Sequence, residues 1–306
     1  MFSTRTGVAK LALVVVIGLI VLKVTVAVIT GSISITAQAI DSSLDLFAVS
    51  VTLFAIRMAS RPADEEHPFG HGKAECIAAV VQAALIFAVG GWLIYSAVYR
   101  VIAGVTIELA EAGMGVMLVS IIASIFLSRH LLKVSRATDS IALEGIARNI
   151  AADVYSAAGV LVALVTIRFT GLGILDPIIA LGVAIVILKS GYDVLRKSFG
   201  ELVDVRLPKT EEDEIISCIQ EHSGQLVDFH EVRTRKAGSQ RFIDLHLMLP
   251  KNASVEEAHQ MCDHLEEDIE TRLPNSNVTI HVEPCSVECD QCRVYSCSLR
   301  IDVTLG

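Results

Sequence analysis

Six long apolar stretches, each of a length suited to a membrane-spanning helix, dominate the first two thirds of the sequence. A helix needs about 20 mainly apolar residues to cross a hydrocarbon layer of about 30 Å. The chain is 53% hydrophobic and only 19% charged, which is typical of proteins with several spans and unusual for a soluble domain. We therefore predict an all-α bundle of six membrane-spanning helices, over residues 8–29, 33–58, 74–101, 112–134, 140–168 and 175–198.

Basic residues near the ends of these stretches predict which side of the membrane each connection occupies. The connections after the second and fourth stretches are rich in lysine and arginine, whereas the opposite connections hold Arg100 and Arg168 singly. Because positively charged connections stay on the cytoplasmic side, we expect both termini to be cytoplasmic. In a bacterium the chain would then lie in the inner membrane. The basic residues on the cytoplasmic side are Arg5, Lys10, Arg57, Arg61, Lys73, Arg129, Lys133 and Arg136.

The negative charge of the chain is concentrated in its last third. Residues 201–306 hold 21 acidic and 10 basic side chains, a net charge of −11, whereas the first 200 residues hold 13 acidic and 15 basic, a net charge of +2. This shift predicts a membrane domain over residues 1–207, followed by an acidic cytoplasmic domain over residues 208–284. The acidity also argues against a nucleic acid as partner.

The acidic region predicts the element order αββαβ, typical of a small ferredoxin-like α+β domain. The first helix is expected to begin with Thr210 as its N-cap. Ser254 and Glu257 match a capping box that opens the second helix. Turn residues around Gly238 separate the first two strands. The helices are expected over residues 210–222 and 255–273, and the strands over 227–236, 241–249 and 277–283.

Two strands of this domain place histidines out of step with the aliphatic residues. Aliphatic side chains occupy every second position from Ile243 to Leu249 and from Val278 to Val282. Polar residues fill the alternate positions, so they should lie on the opposite, exposed face of the sheet. Imidazole and carboxylate groups on one face are candidate metal ligands. The candidates are His246, His281 and Glu283, with His230 and His259 elsewhere in the domain.

Two pairs of polar residues interrupt the apolar stretches at matching depths. Asp41 and Asp45 in the second stretch, and Asn149 and Asp153 in the fifth, are each four residues apart and so project from one face of a helix. Both pairs lie about 8–13 residues from the start of their stretch, which at 1.5 Å per residue is near mid-membrane. Carboxylates there are costly, at least about 2.5 kcal/mol each. A divalent cation would compensate them; a water-filled gap or pairing with Arg148 is the alternative.

A second candidate site lies in the connection before the third stretch. Asp64, His67 and His71 fall within eight residues of one another, and one carboxylate with two imidazoles suits a borderline-soft cation. The alternative is that they are solvated loop residues, with Asp64 balancing Lys73. The last 22 residues, 285–306, form a cysteine-rich tail, which either binds a soft metal or holds reduced thiols. Its cysteines are Cys285, Cys289, Cys292 and Cys297.

Several motifs together resemble the cation diffusion facilitator family, in particular its bacterial zinc and ferrous-iron efflux branch. The resemblance covers nearly the whole chain. The matching segments are Asp41-Ser42-Ser43-Leu44-Asp45, Asp153-Val154, the loop from Pro62 through His67-Pro68-Phe69-Gly70-His71-Gly72-Lys73 to Glu75, and Arg233-Thr234-Arg235.

The resemblance implies a homodimeric metal/proton antiporter that works by alternating access and is not an enzyme. It assigns Asp41, Asp45, Asn149 and Asp153 to the transport site, and Asp64, His67 and His71 to a loop site. Lys73 and Asp204 fall on a charge pair that holds the membrane domains to the dimer. A metal cluster at the dimer interface of the soluble domain is implied for His230, His246, His259, His281 and Glu283.

Three positions depart from the zinc branch of that family. Asn149 stands where zinc-preferring members carry histidine, which makes the site all-oxygen and favours Fe²⁺ or Mn²⁺ over Zn²⁺. Glu283 replaces an aspartate. Arg148 replaces an apolar gate residue, and it either pairs with Glu144 one turn earlier or repels cations until a carboxylate engages it.

Three other functions compete with divalent metal export. A metal-responsive membrane scaffold would bind metal in its soluble domain and transport little. An intramembrane aspartyl protease would also need aspartates on two helices, but its Gly-x-Gly-Asp pattern is missing from the sequence. Sodium-coupled transport of an organic solute would be favoured by helices broken by glycine or proline at mid-span, and such signals are weak here.

Overall fold

The computed structural model describes residues 4–30, 33–103, 111–170 and 174–285. The side chain of Asp41 lies outside the described part, and so do the whole tail residues Cys289, Cys292 and Cys297. The chain divides into two compact units, Met1–Gly200 and Glu201–Gly306.

The first unit consists, over the described residues, of long helices close to the predicted ranges. The helices are α1 (Arg5–Thr30), α2 (Ile33–Ala59), α3 (Lys73–Ala103), α4 (Glu111–Thr138), α5 (Ile141–Thr170) and α6 (Leu175–Leu202). Over their described residues, five of them, all except α5, are long and apolar enough to cross a membrane. Several side chains of α5 lie outside the described part.

Small residues let α5 pack closely against its neighbours. A Cβ atom at Gly145 would lie 3.1 Å from Cβ of Gln82 on α3, and one at Gly159 would lie 2.7 Å from a methyl group of Val183 on α6. Small residues at helix interfaces are the usual means of close packing in membranes, where the hydrophobic effect does not drive helices together. Large apolar side chains such as Trp92 and Phe126 point outward, as expected of a surface that faces lipid. α5, which carries Asn149 and Asp153, is therefore held in the interior of the bundle.

The second unit has the predicted order αββαβ. The elements are α7 (Lys209–Glu221), β1 (Asp228–Ala237), β2 (Gln240–Leu249), α8 (Val255–Arg272) and β3 (Ser276–Pro284). The three described strands form a sheet in the order β1-β2-β3; β2 is antiparallel to β1 and parallel to β3. Both helices cover one face of this sheet.

The predicted alternation along β2 is confirmed. Ile243, Leu245, Leu247 and Leu249 are all buried in the core formed with α7 and α8. Gly238 begins the two-residue turn between β1 and β2 with a φ of 63°, a conformation that glycine adopts without strain. This turn fixes which residues of β1 and β2 lie opposite each other.

The two predicted helix starts have different outcomes. The capping box of α8 is confirmed, because Ser254 accepts a hydrogen bond from the backbone of Glu257 and the Glu257 side chain accepts one from the backbone of Ser254. The prediction of Thr210 as the N-cap of α7 is wrong. Pro208 is the N-cap, with a φ of −54° and no side-chain cap. The fixed φ of proline suits a helix start, so α7 begins at Lys209 and includes Thr210.

Candidate metal centres

The packing of α2 against α5 joins two of the predicted transport residues. Nδ2 of Asn149 donates a hydrogen bond of 3.3 Å to Oδ1 of Asp45. Asn149 is only 6% exposed, and Asp45 and Asp153 are half-buried. Asp41 precedes Asp45 by one helical turn, and Asp153 follows Asn149 by one turn. The structure thus brings one predicted ligand residue from each helix together, while the Asp41 side chain lies outside the described residues.

The orientation of the Asn149 amide has a chemical consequence. Its N–H group faces the Asp45 carboxylate, which accepts the hydrogen bond, so the amide oxygen points away from Asp45. An amide binds a metal ion through its oxygen. A cation that enters between these residues must therefore replace this hydrogen bond and turn the amide.

A lysine in α1 lies beside the aspartate-bearing turn of α2. Nζ of Lys23 donates a hydrogen bond of 2.7 Å to Oγ of Ser42, which is buried and directly follows Asp41. The sequence pattern alone assigns no role to Lys23. The sequence feature that could have identified Lys23 is its charge, because a lysine inside a span needs a polar partner.

A buried glutamine on α3 holds α2 in place about one turn after Asp45. Nε2 of Gln82, on α3, donates to the carbonyl oxygen of Ala48 at 2.8 Å and to Oγ1 of Thr52 at 2.9 Å. Gln82 and Thr52 are both fully buried. Hydrogen bonds between neighbouring helices hold their register in the absence of water, so this contact supports the position of Asp45.

Arg148, next to Asn149 in sequence, belongs to a charged network between α5 and α6. Its guanidinium donates two hydrogen bonds, of 2.9 and 3.1 Å, to Oε1 of Glu144. Lys197 of α6 donates to the other oxygen of Glu144 at 2.8 Å, and Nη1 of Arg148 lies 3.4 Å from Oγ of Ser190. The structure therefore gives the pairing of Arg148 with Glu144 one turn earlier, and adds Lys197, which the sequence did not suggest.

The loop residues Asp64, His67 and His71 come together before α3. Oδ1 of Asp64 lies 3.2 Å from Nδ1 of His67, and Oδ2 lies 3.4 Å from Nε2 of His71. The two imidazole centroids are 4.4 Å apart, and each residue offers a ligand atom within 4.8 Å of the others. One carboxylate oxygen and two imidazole nitrogens at this spacing match the donors of a transition-metal site.

Two local features suit this loop to a cation. The backbone N–H of His67 donates to the Asp64 carboxylate at 2.7 Å, and this hydrogen bond, with smaller effects of the two imidazoles, holds the pKa of Asp64 below its usual value. The carboxylate therefore stays ionised. Nδ1 of His71 is buried without a hydrogen-bond partner among the described residues, which is costly unless a ligand or water satisfies it.

Three histidines form a row across the exposed face of the soluble sheet. The strand register pairs His230 on β1 with His246 on β2, and His246 with His281 on β3. Successive imidazole centroids along the row are 5.3 and 4.7 Å apart. We call these three residues with Glu283 the sheet cluster.

Glu283 connects the members of the sheet cluster. Its Oε1 lies 2.9 Å from Nδ1 of His246 and 3.8 Å from Nε2 of His281, and its Oε2 lies 3.4 Å from Nε2 of His230. Ligand atoms of His230, His246 and Glu283 lie within 4.8 Å of one another. Glu231, at an irregularity of β1 with a φ of 49°, places a carboxylate oxygen 3.8 Å from Nε2 of His246. Sequence reasoning missed Glu231 because regular alternation would turn it to the other face.

The remaining predicted residues lie apart from these clusters. His259 is on α8, 73% exposed, with Nδ1 3.4 Å from Asp263, and within the described chain it is not joined to the sheet cluster. Lys73 opens α3, whereas Asp204 accepts a hydrogen bond of 3.5 Å from Arg235 in the second unit. Cys285, half-buried, donates its backbone N–H to Leu249. The roles predicted for His259 and for the Lys73–Asp204 pair stay predictions.

Comparison with known proteins identifies the family. Residues 9–203 match the cation efflux transmembrane domain, and residues 207–285 match the cation efflux protein cytoplasmic domain. The chain belongs to the cation diffusion facilitator family. The resemblance inferred from the motifs is thus confirmed, and the helical first unit and α+β second unit correspond to the two parts of this family.

The chain is similar to several known transporters over most of their length. It is 35% identical to an uncharacterised transporter of Synechocystis over 86% of this chain and 85% of the relative. It is 34% identical to the cation-efflux pump FieF of Salmonella paratyphi A over 88% of this chain and 89% of the pump. A solved structure of the zinc form of CzrB is 37% identical and overlaps 27% of this chain and 94% of that one, with a TM-score of 0.26.

Proposed function

We propose that this chain exports a divalent transition-metal cation from the cytoplasm in exchange for protons, by alternating access in a membrane. The observation that carries the proposal is the buried contact between Asp45 on α2 and Asn149 on α5, inside a chain of the cation efflux family. Two predicted ligand residues on different helices meet here, where an uncompensated carboxylate would be costly. Binding of a substrate cation would compensate the charge of the carboxylate.

The proposed substrate ligands are Asp41, Asp45, Asn149 and Asp153. If α2 and α5 cross the membrane in opposite directions, Asp41 and Asp153 lie one turn from the Asp45–Asn149 contact on the same side of it. Two helices then offer four oxygen-bearing side chains to one ion. This all-oxygen set favours Fe²⁺ or Mn²⁺ over Zn²⁺, because imidazole and thiolate ligands select softer ions.

Protons are the proposed counter-ions. A metal ion must displace protons, or the Asn149 amide, from the carboxylates before it binds. Protons that arrive from the other side of the membrane would in turn displace the metal, which gives exchange rather than simple diffusion. Arg148, next to Asn149 in sequence, pairs with Glu144 one turn earlier on α5, and Glu144 also binds Lys197 of α6. We propose that this network keeps the Arg148 charge from repelling the cation.

The loop site and the sheet cluster are proposed as cytoplasmic metal sites of a homodimer. Both combine imidazole and carboxylate donors within 4.8 Å, which suits Zn²⁺ as well as Fe²⁺. His259 would join such a cluster from the second copy of the chain. The Lys73–Asp204 pair would link the membrane domains to the dimer. We further propose that the chain has six spans, because α5 also crosses the membrane in addition to the five helices above, and that both termini are cytoplasmic.

Transport in proteoliposomes tests the function. Purified protein should carry Mn²⁺ and Fe²⁺ faster than Zn²⁺ or Co²⁺ when the four ions are supplied side by side at equal concentration. A pH-sensitive dye in the lumen should report a proton flux opposite to the metal flux. Metal uptake with no change of luminal pH would refute the exchange, and faster Zn²⁺ uptake would refute the preference.

A further inference from the structure

A third group of metal-ligand side chains lies on the helical side of the soluble domain. His222 caps the C-terminus of α7, and His264 and Asp268 lie one turn apart on α8. Oδ2 of Asp268 is 3.3 Å from Nε2 of His222 and 3.8 Å from Nε2 of His264. We call these three residues the helix cluster. It lies across the hydrophobic core from the sheet cluster, because α7 and α8 cover the buried face of the sheet.

The ligand atoms of the helix cluster are spaced for one ion. All three lie within 4.8 Å of one another. Zinc bonds of about 2.0–2.2 Å to nitrogen and oxygen in a tetrahedron place neighbouring ligand atoms about 3.4 Å apart. The two separations from Asp268, 3.3 and 3.8 Å, are close to this spacing, and a shift of the His264 side chain would bring the set to it. The two imidazoles meet edge to face, with centroids 5.0 Å apart and planes at 82°.

A backbone hydrogen bond orients His222 as a ligand. Nδ1 of His222 lies 3.0 Å from the carbonyl oxygen of Cys218, one turn earlier on α7. When Nδ1 carries the proton and donates it to this carbonyl, Nε2 presents its lone pair towards Asp268. Metal-binding histidines commonly use their second nitrogen in this way. The His222 side chain is 12% exposed, so its ring is held by packing as well.

The surrounding charges leave the Asp268 carboxylate able to bind a cation. Arg272, whose charge acts on Asp268, is held by Glu221 through hydrogen bonds of 2.9 and 2.5 Å. Arg272 is thus paired with another carboxylate. An ion pair between His222 and Asp268 alone would explain the contact of 3.3 Å between them. It would not explain why Nε2 of His264 lies 3.8 Å from the same carboxylate oxygen.

We propose that His222, His264 and Asp268 form an additional metal site that binds Zn²⁺ or a similar borderline cation and ties the end of α7 to α8. Two imidazoles, one carboxylate and an open position for water are a common zinc ligand set. The site differs in chemistry from the all-oxygen membrane site and shares no residue with the loop site or the sheet cluster. It does not depend on whether the chain transports metal.

Chemical modification of histidines in the full-length chain tests this site. Diethyl pyrocarbonate reacts with unliganded imidazole nitrogen, and peptide mass spectrometry reports each histidine separately. Zn²⁺ should slow the modification of His264 by at least about tenfold in the wild type. The Asp268→Asn variant should lose this protection, because an amide is a weaker ligand than a carboxylate. The Asp263→Asn variant, with its change on the same helix but outside the cluster, should keep it.

Two internal checks make the result decisive. Circular dichroism and thermal unfolding of the Asp268→Asn protein, equal to those of the wild type, show that its domain is folded. The amount of tightly bound zinc per chain in a His264→Gln variant provides a second measurement and should fall by one ion. The proposal is overturned if His264 reacts at the same rate with and without Zn²⁺, if Asp268→Asn keeps full protection, or if His264→Gln binds as much zinc as the wild type.

Discussion

Nδ2 of Asn149 lies 3.3 Å from Oδ1 of Asp45, so the Asn149 amide on α5 donates a hydrogen bond to the Asp45 carboxylate on α2. This contact joins α2 and α5 through two residues of the proposed transport site. The amide donates to a carboxylate that is a proposed ligand of the substrate cation, so binding of the cation to this oxygen would replace the hydrogen bond.

Replacing Asn149 tests the source of the metal preference. We expect Asn149→His to raise the rate of Zn²⁺ transport relative to Mn²⁺ by about tenfold, because an imidazole nitrogen binds zinc better than an amide oxygen does. Uptake of the two ions into proteoliposomes gives the ratio. Asn149→Gln is the matched control, since it keeps the amide oxygen and should not favour zinc. An unchanged ratio in Asn149→His would remove the basis for an Fe²⁺ or Mn²⁺ preference.

The Lys23 ammonium should compete with the substrate cation. Because Lys23 donates to Ser42 beside Asp41, Lys23→Gln removes a positive charge next to the proposed site. A Coulomb effect on the order of 1 kcal/mol would tighten metal binding about fivefold. Equilibrium binding of Mn²⁺ to the purified protein measures this. Lys10→Gln, which removes an exposed lysine of the same helix, should leave the affinity unchanged; equal effects of both variants would show that only net charge matters.

The charged network at the start of α5 should stabilise the bundle through Glu144. Glu144→Gln leaves Arg148 and Lys197 without their shared anion, so we expect a loss of about 1–3 kcal/mol, typical of hydrogen bonds to charged groups. Lys197→Gln keeps the Arg148–Glu144 pair and should cost less. Thermal unfolding in detergent ranks the variants. A Lys197→Gln variant less stable than Glu144→Gln would contradict the central role of Glu144.

Metal in the sheet cluster should hold the soluble domains of a dimer together. We expect a chelator to loosen the dimer of the wild-type chain, and Glu283→Gln to have a similar effect without chelator, because Glu283 contacts all three histidines of the row. Small-angle scattering of the full-length protein measures the change. Asp244→Asn, on the same strand and exposed, is the control. Scattering profiles identical with and without chelator would argue against this role.

The sequence predicts features that depend on local patterns. The strand alternation around His246 follows from burial of one face, and the capping box of Ser254 and Glu257 needs only residues three positions apart. Short-range geometry determines both of these outcomes. The shared level of Asp45 and Asn149 was predicted differently, by comparing the depth of each residue along its apolar stretch.

Features that depend on tertiary contacts were missed. His222 and Asp268 are 46 positions apart and meet only because α7 packs against α8 on the sheet. Lys23 gains its significance from Ser42 on another helix. Glu231 reaches His246 through an irregular φ that no alternation pattern contains. Thr210 was misplaced because Pro208 starts α7 earlier than the capping preference indicated.

Transport by an Asp45→Asn variant tests whether the proposed membrane site carries the metal. The side chain keeps its size and its contact with Asn149 but loses the charge that a divalent cation needs. Wild-type protein should carry Mn²⁺ into proteoliposomes with an opposite proton flux, as should Asp213→Asn, which changes an exposed carboxylate of α7 in the second unit. We expect Asp45→Asn to reduce uptake to that of protein-free liposomes. Wild-type uptake by Asp45→Asn would contradict this expectation, and a lack of uptake by the wild type would favour a metal-responsive scaffold.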